Sequence, residues 1–193
     1  IYMDSDVNFS SNIIGKFLDI ADLIKDFIIL APQHERSFYK KEFFSDKSNK
    51  FKDFNLMKLV HGQFLFFNIK NVKKVGRFDE KIFLYYEETD FCLRAYNKGH
   101  KIYVLPKLKV NHLGGKSVNL KNSLKIEANK HWHYMWSKFY YYRKNYSTYS
   151  AYKNTIPDLI TSTIKFLIFY FLNNRKKTIY FNKSSGLINS YLG

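Results

Sequence analysis

The chain has 193 residues, a net charge of +16, 46% apolar residues and 19% aromatic residues. That length is about one domain's worth of chain, and its apolar content excludes a disordered polyelectrolyte or a collagen-like repeat. The single cysteine, Cys92, cannot form an internal disulfide, so we expect a reducing, cytoplasmic location.

Apolar residues in the first part of the chain follow the periods of alternating strands and helices. We expect strands at 1–3, 27–31, 63–69 and 102–105, and helices at 13–24, 71–75 and 87–98. Residues 33–56 have no clear period and are predicted to be a surface excursion, and Pro106 is expected to end the last strand. Long basic and aromatic helices are predicted after Gly115. The expected fold is mixed α/β with a helical C-terminal extension.

The positive charge is concentrated in the second half of the chain. Residues 1–96 carry 15 basic and 14 acidic residues, whereas residues 97–193 carry 17 and 2. The second half therefore predicts an anionic partner, and its charge fits both nucleic acid and an anionic membrane surface. Its most apolar stretch is too short to cross a bilayer.

Two aspartates stand directly after the first predicted strand. Asp4 and Asp6 flank one residue, so on a tight turn both carboxylates can reach a hard cation or a metal-bound phosphate. The same spacing is common in ordinary turns, in which Asp6 would cap the following helix. Both interpretations stay open on these residues alone.

Three acidic residues, Glu87, Glu88 and Asp90, stand at the predicted start of the helix 87–98. They can bind the free backbone N–H groups there and stabilise the positive end of the helix dipole. Capping alone does not explain all three acids. Carboxylates crowded together beside aromatic rings repel each other, which raises the pKa of one carboxyl group toward the range of a general base. Asp90 and Arg94 are four residues apart, which favours a supporting ion pair.

A histidine and two glycines follow the strand predicted at 102–105. His112 is a candidate metal ligand, and Gly114 and Gly115 would let backbone N–H groups approach an anion. The alternative for His112 is a hydrogen-bonded loop residue.

These motifs follow one another in a specific order. They are Asp4 to Asp6, an apolar strand from Gly62, VGRFDE at 75–80, EETD at 87–90, GHKI at 99–102 and HLGGKS at 112–117. The combination resembles family 2 glycosyltransferases, particularly the bacterial rhamnosyltransferase-like group. The resemblance implies a GT-A core with a Rossmann-like sheet, which transfers a sugar from a nucleotide-diphosphate donor to a glycan or lipid-linked acceptor.

The resemblance also implies a role for each matched residue. Asp4, Asp6 and His112 would bind Mg²⁺ or Mn²⁺ at the donor diphosphate, and Gly114, Gly115 and Ser117 would line the donor site. Glu88 would deprotonate the acceptor hydroxyl in an inverting displacement, with Glu87 as the second candidate for the base. Asp90 would bind or orient the acceptor.

Such enzymes begin with a nucleotide-binding half that no part of this chain matches. We therefore expect residues 1–117 to be the C-terminal half of a catalytic domain, either within a longer polypeptide or inactive alone. Residues 118–193 would be an extension whose basic and aromatic side chains are typical of helices lying on an anionic membrane. The resemblance implies an enzyme of cell-surface glycan synthesis that is bound peripherally to the inner face of the membrane.

Three other classes of protein stay open. A nucleic-acid-binding module would use the basic, aromatic half for phosphate contacts and base stacking, but it leaves the acidic motifs unexplained. A glycoside hydrolase would also use paired carboxylates, although no residue favours water as the nucleophile. A membrane-surface module without catalysis is the third.

Overall fold

The computed structural model describes residues 1–34, 39–112 and 123–193, with the backbone alone for His112. The described residues fall into two compact units, the first made of residues 1–78 and 91–112 and the second of residues 79–90 and 123–193. The predicted boundary between residues 117 and 118 lies outside the described part of the chain. Residues 79–90, which we expected in the first domain, group with the C-terminal helices.

The first unit is built on a mixed β-sheet. Its strands are β1 (Tyr2–Met3), β2 (Val7–Asn8), β3 (Ile29–His34), β4 (Asn55–Met57), β5 (Phe64–Phe67) and β6 (Ile102–His112). The order is β1-β5-β3-β6-β2, and β4 also pairs with β6. The pair β3 and β6 is parallel, and the other pairs are antiparallel. The expected mixed α/β fold is confirmed, and its sheet is compatible with a Rossmann-like core.

Two clusters of buried side chains form the core of the first unit. Helix α1 (Ile13–Ile24) contributes Phe17 to one cluster, which includes Leu30 of β3. The other cluster contains Ile29 of β3 and residues of α2 (Ile69–Val75) and α3 (Glu87–Asn97). Neighbouring residues of β3 therefore enter different clusters, as expected when successive side chains point to opposite faces of a strand.

Glycines follow two of the helices, α2 and α3. Gly76, with a φ of 97°, follows α2, and Gly99, with a φ of 80°, follows α3. These left-handed backbone angles favour glycine because it has no Cβ atom.

The prediction that Pro106 ends the last strand is wrong. Pro32 of β3 pairs with Leu105, but the next residue, Gln33, pairs with Lys109. Residues 106–108 thus bulge out of the ladder, where a proline without an N–H group is tolerated. The strand resumes beyond the bulge and continues to His112.

The predicted surface excursion at 33–56 is wrong at both of its ends. Strand β3 extends to His34, and β4 begins at Asn55. A short 3-10 helix lies between them at Lys41–Phe43. The two-residue strand β2, between the acidic turn and α1, was also not predicted.

The second unit contains the predicted long helices: α4 (Ser123–Asn145), α5 (Thr148–Phe171) and α6 (Lys177–Leu192). Phe139, Ala151 and Leu187, one residue from each helix, meet in its core. Helices α4 and α6 come very close at Gly186, where a Cβ atom added to the glycine would lie 2.4 Å from the carbonyl oxygen of Trp132. Among the described residues, no helix combines the length and apolar character that a membrane span requires.

We predict that Gly186→Ala destabilises the second unit. The added methyl group would overlap the Trp132 backbone, and overpacking of this kind costs about 1–3 kcal/mol. The control is Gly15→Ala in α1, where the added Cβ would contact no atom beyond its chain neighbours and the backbone of its own helix, and where alanine favours the helix. Urea unfolding followed by circular dichroism should show a loss for Gly186→Ala and none for Gly15→Ala. Equal stability of Gly186→Ala and the unchanged chain would contradict the close helix contact.

Candidate functional site

The acidic motif at the start of the chain forms a turn between β1 and β2. The N–H of Asp4 donates to the carbonyl of Gln63 at 3.0 Å, which anchors the turn beside β5. The N–H of Val7 donates back to the carbonyl of Asp4 at 3.3 Å, which closes the turn around Ser5 and Asp6. The turn is therefore anchored to the sheet at Asp4 and closed by a backbone hydrogen bond of its own.

Strand pairing brings this turn to the end of β6. Val7 lies opposite His112, and Asn8 lies opposite Asn111, in an antiparallel register. Opposed residues in such a pair have Cα atoms about 4.5–5.5 Å apart, so the backbones of Asp6 and His112 are near neighbours. The sequence-predicted metal ligands thus share one end of the sheet in the first unit.

The donor set suits a hard or borderline divalent cation. Two aspartate carboxylates and an imidazole are compatible with Mg²⁺, and more so with Mn²⁺. Among the described side chains, which do not include that of His112, no group of three His, Cys, Asp or Glu residues could hold a metal ion. The backbone register is therefore the observation that links these three residues.

The acidic segment at the start of α3 follows a strained turn. Tyr85 and Tyr86 have φ values of 64° and 72°, in the left-handed region. A side chain in this region costs about 1–2 kcal/mol, and such strain persists where the surrounding structure fixes it. Tyrosine rings of α4 contact the turn. The ring centre of Tyr134 lies 5.6 Å from that of Tyr85, and the ring centre of Tyr141 lies 5.1 Å from that of Tyr86. Burial raises the pKa of Tyr86 far above its usual value, so its hydroxyl stays protonated.

Lys144, near the end of α4, joins both ends of the segment 79–90. Its Nζ lies 2.7 Å from Oδ2 of Asp79 and 2.8 Å from Oδ1 of Asp90. Asn145 donates to the same Oδ1 of Asp90 at 2.9 Å, and the Tyr140 hydroxyl donates to Asp79 at 3.0 Å. Asp90 is fully buried, so these partners supply the compensation that a buried carboxylate requires.

The Lys144 network changes the acidity of its members. Burial alone would raise the pKa of Asp79, but hydrogen bonds from Lys144, the Lys81 backbone and Tyr140 outweigh it and lower the pKa. Burial and the hydrogen bond to Asp79 raise the pKa of Tyr140 to about 12. At neutral pH the network therefore contains an ionised Asp79 and a protonated Tyr140.

The other sequence-predicted residues are distributed over both units. Glu87 and Glu88 are half-buried in the first turn of α3 and belong to the second unit with Asp90, whereas Asp4, Asp6 and His112 belong to the first. Gly114, Gly115 and Ser117 lie outside the described residues.

The predicted ion pair between Asp90 and Arg94 stays a prediction. The Arg94 guanidinium donates to the carbonyls of Val75 at 3.1 Å and Arg77 at 2.7 Å, both in the first unit. Asp90 contacts Lys144 and Asn145 in the second unit.

Sequence reasoning missed Lys144, Tyr140 and the strained tyrosines. Lys144 is 65 residues from Asp79 along the chain, so no local spacing pattern could identify the pair. The basic second half contains many lysines, and residue type alone does not show which of them contacts the aspartates. The tyrosines were recognised as aromatic neighbours of the acids, but nothing in their side chains predicts left-handed backbone angles.

Comparison with known proteins relates the chain to a sugar transferase over a short stretch. No family model matches it. A stretch of 47 residues, 24% of this chain, is 40% identical to a dTDP-rhamnosyl transferase, RfbF, of Shigella flexneri. The stretch covers 16% of that protein, so the similarity extends over less than a fifth of the relative's length. The match supports a relationship to glycosyltransferases in general.

We predict that Lys144→Ala strongly destabilises the second unit. Removing one partner of a buried ion pair leaves an uncompensated charge and costs about 3–5 kcal/mol, and here Asp90 would be that charge. Both tryptophans, Trp132 and Trp136, are in α4, so their fluorescence during urea unfolding reports on this unit. The control is Lys153→Ala, which removes an exposed lysine from α5 and should change stability by less than about 0.5 kcal/mol. Equal effects of the two substitutions would contradict the network.

A second prediction concerns the stability of the folded chain at low pH. Because the pKa of Asp79 is lowered in the folded chain, its stabilisation is complete above its ordinary value of 3.8 and is lost as the pH falls through the folded value. Asp79→Asn should therefore be less stable than the unchanged chain at neutral pH, and the difference should shrink near pH 3. Tryptophan-monitored urea unfolding at both pH values measures this difference. A difference that is unchanged or larger in acid would contradict the assignment.

Proposed function

We propose that the chain belongs to an inverting, metal-dependent GT-A glycosyltransferase of family 2. The observation that carries the proposal is the pairing of Val7 with His112, which joins the ends of two motifs that lie far apart in the sequence. The short match to a dTDP-rhamnosyl transferase supports the same class of reaction. It also makes dTDP-rhamnose the first donor to test.

Residues of the first unit would bind the donor diphosphate. Asp4, Asp6 and His112 would hold Mg²⁺ or Mn²⁺, which when bound would screen the diphosphate charge and favour its departure. Gly114, Gly115 and Ser117 would line the donor site and offer backbone N–H groups to phosphate oxygens. The fixed turn around Asp6 supports this role, because preorganised ligands need little rearrangement on binding.

Residues of the second unit would activate the acceptor. In the proposed step, Glu88 takes the proton of an acceptor hydroxyl while its oxygen attacks the anomeric carbon, and the bond from that carbon to the diphosphate oxygen breaks. One displacement of this kind inverts the anomeric configuration. Glu87 is the second candidate for the base.

Asp90 has a positioning role in this proposal. Its buried carboxylate contacts Lys144 and Asn145, and it stands two residues after Glu88 in the first turns of α3. It would thereby orient the residues that meet the acceptor. The acceptor itself is proposed to be a glycan or a lipid-linked glycan at the cytoplasmic face of a membrane.

We predict that Glu88→Gln nearly abolishes transfer and preserves donor binding. Loss of a general base lowers kcat by about 10²–10⁴, whereas the amide has nearly the same shape and leaves the donor site intact. The assay follows sugar transfer by the natural polypeptide that contains residues 1–193, with dTDP-rhamnose and Mg²⁺. Glu42→Gln, which alters an exposed glutamate, is the matched control and should keep the unchanged rate.

Glu87→Gln distinguishes the two candidate bases. A normal rate for Glu88→Gln together with a large loss for Glu87→Gln would transfer the role to Glu87. Normal rates for both variants would contradict general-base catalysis by this segment.

A further inference from the structure

Helix α5 exposes its large apolar side chains and buries its small ones. Its buried residues are Ala151, Thr155 and Ser162. We call the exposed set the apolar face of α5; it consists of Ile156, Ile160, Ile164, Leu167, Ile168 and Phe171. At 100° per residue these six positions lie within about 120° of the helix circumference, so they form one continuous stripe. A helix on the surface of a water-soluble protein has the opposite arrangement.

The buried side of α5 packs as helices pack in a lipid environment. Ser162 accepts a hydrogen bond from Ser184 of α6 at 3.0 Å, and Thr155 shares one with Tyr191 at 2.9 Å. On the same helix α6, Gly186 permits the close approach to α4. Small residues and interhelical hydroxyl bonds hold helices together where large apolar side chains are solvated by lipid instead of being needed in a core.

Basic residues border the apolar face. Lys165 is an exposed residue of α5. Arg175 and Lys176 follow in the connection to α6, and Lys177 is the first residue of α6. Phe171, at the end of α5, is 82% exposed and stands four residues before Arg175. The combination places apolar side chains beside positive charges, which matches the boundary between acyl chains and anionic headgroups.

We propose that the apolar face of α5 docks on the surface of an anionic lipid bilayer, with Arg175, Lys176 and Lys177 on the headgroups. The helix would lie in the interface, since none of the described helices meets the requirements of a membrane span. Charge favours lipid over a second copy of the chain, because two identical basic surfaces repel each other. The proposal rests on the packing of the second unit and is independent of the proposed transfer chemistry.

Vesicle co-sedimentation tests the docking surface directly. The 193-residue chain should bind vesicles of three parts phosphatidylcholine to one part phosphatidylglycerol, and bind pure phosphatidylcholine much more weakly. Ile164→Glu with Ile168→Glu should weaken binding to the anionic vesicles by about tenfold or more, because each isoleucine loses its apolar contact with lipid. Reversing Arg175, Lys176 and Lys177 to glutamate should weaken it by roughly a hundredfold.

Matched substitutions in the first unit control for general effects of charge. Leu23→Glu replaces a leucine of α1 that is 67% exposed, and Lys50→Glu with Lys52→Glu reverses exposed lysines outside the basic group. These controls should bind vesicles nearly as well as the unchanged chain, and circular dichroism confirms that every variant is folded.

Two results would overturn the proposal. The first is unchanged vesicle binding by the variant with Ile164→Glu and Ile168→Glu. The second is a dimer in sedimentation velocity that these two substitutions dissociate, which would assign the face to a second copy of the chain.

Discussion

The Lys144 ammonium group forms ion pairs with two carboxylates that stand at opposite ends of the segment 79–90. Asp79 and Asp90 are held within 2.8 Å of the same nitrogen, so the start and the end of this segment are tied to one point on α4. Between them the chain passes through the left-handed tyrosines and reaches Glu87 and Glu88. Within the second unit, the positions of Glu87 and Glu88 therefore depend on the contacts that this segment makes with α4.

A comparable constraint operates in the first unit, where β6 continues through the bulge at Pro106. Had the strand ended at Leu105, β2 would have had no partner at His112 and the acidic turn would have been separated from the histidine. The bulge thus links the two halves of the proposed donor site. Both constraints act over long distances in sequence: the first through an ion pair and the second through strand register.

Local patterns in the sequence predicted the elements whose own residues determine them. The period of α1, the terminal glycines of α2 and α3, and the acidic start of α3 were all predictable from neighbouring side chains. Strand β2 was not, because two residues carry no period and depend on β6 for their hydrogen bonds. The candidate acids were identified by residue type and motif order, whereas Lys144 could be recognised only from tertiary structure.

The most direct test of the proposed function is donor binding by the natural polypeptide that contains residues 1–193. Isothermal titration with dTDP-, UDP- and GDP-sugars, in Mg²⁺, in Mn²⁺ and in EDTA, measures both nucleotide preference and metal dependence. We expect binding of one nucleotide sugar that requires the divalent cation and is weakened by Asp6→Asn. Absence of donor binding under every condition, together with tight, salt-sensitive binding to nucleic acid, would contradict it.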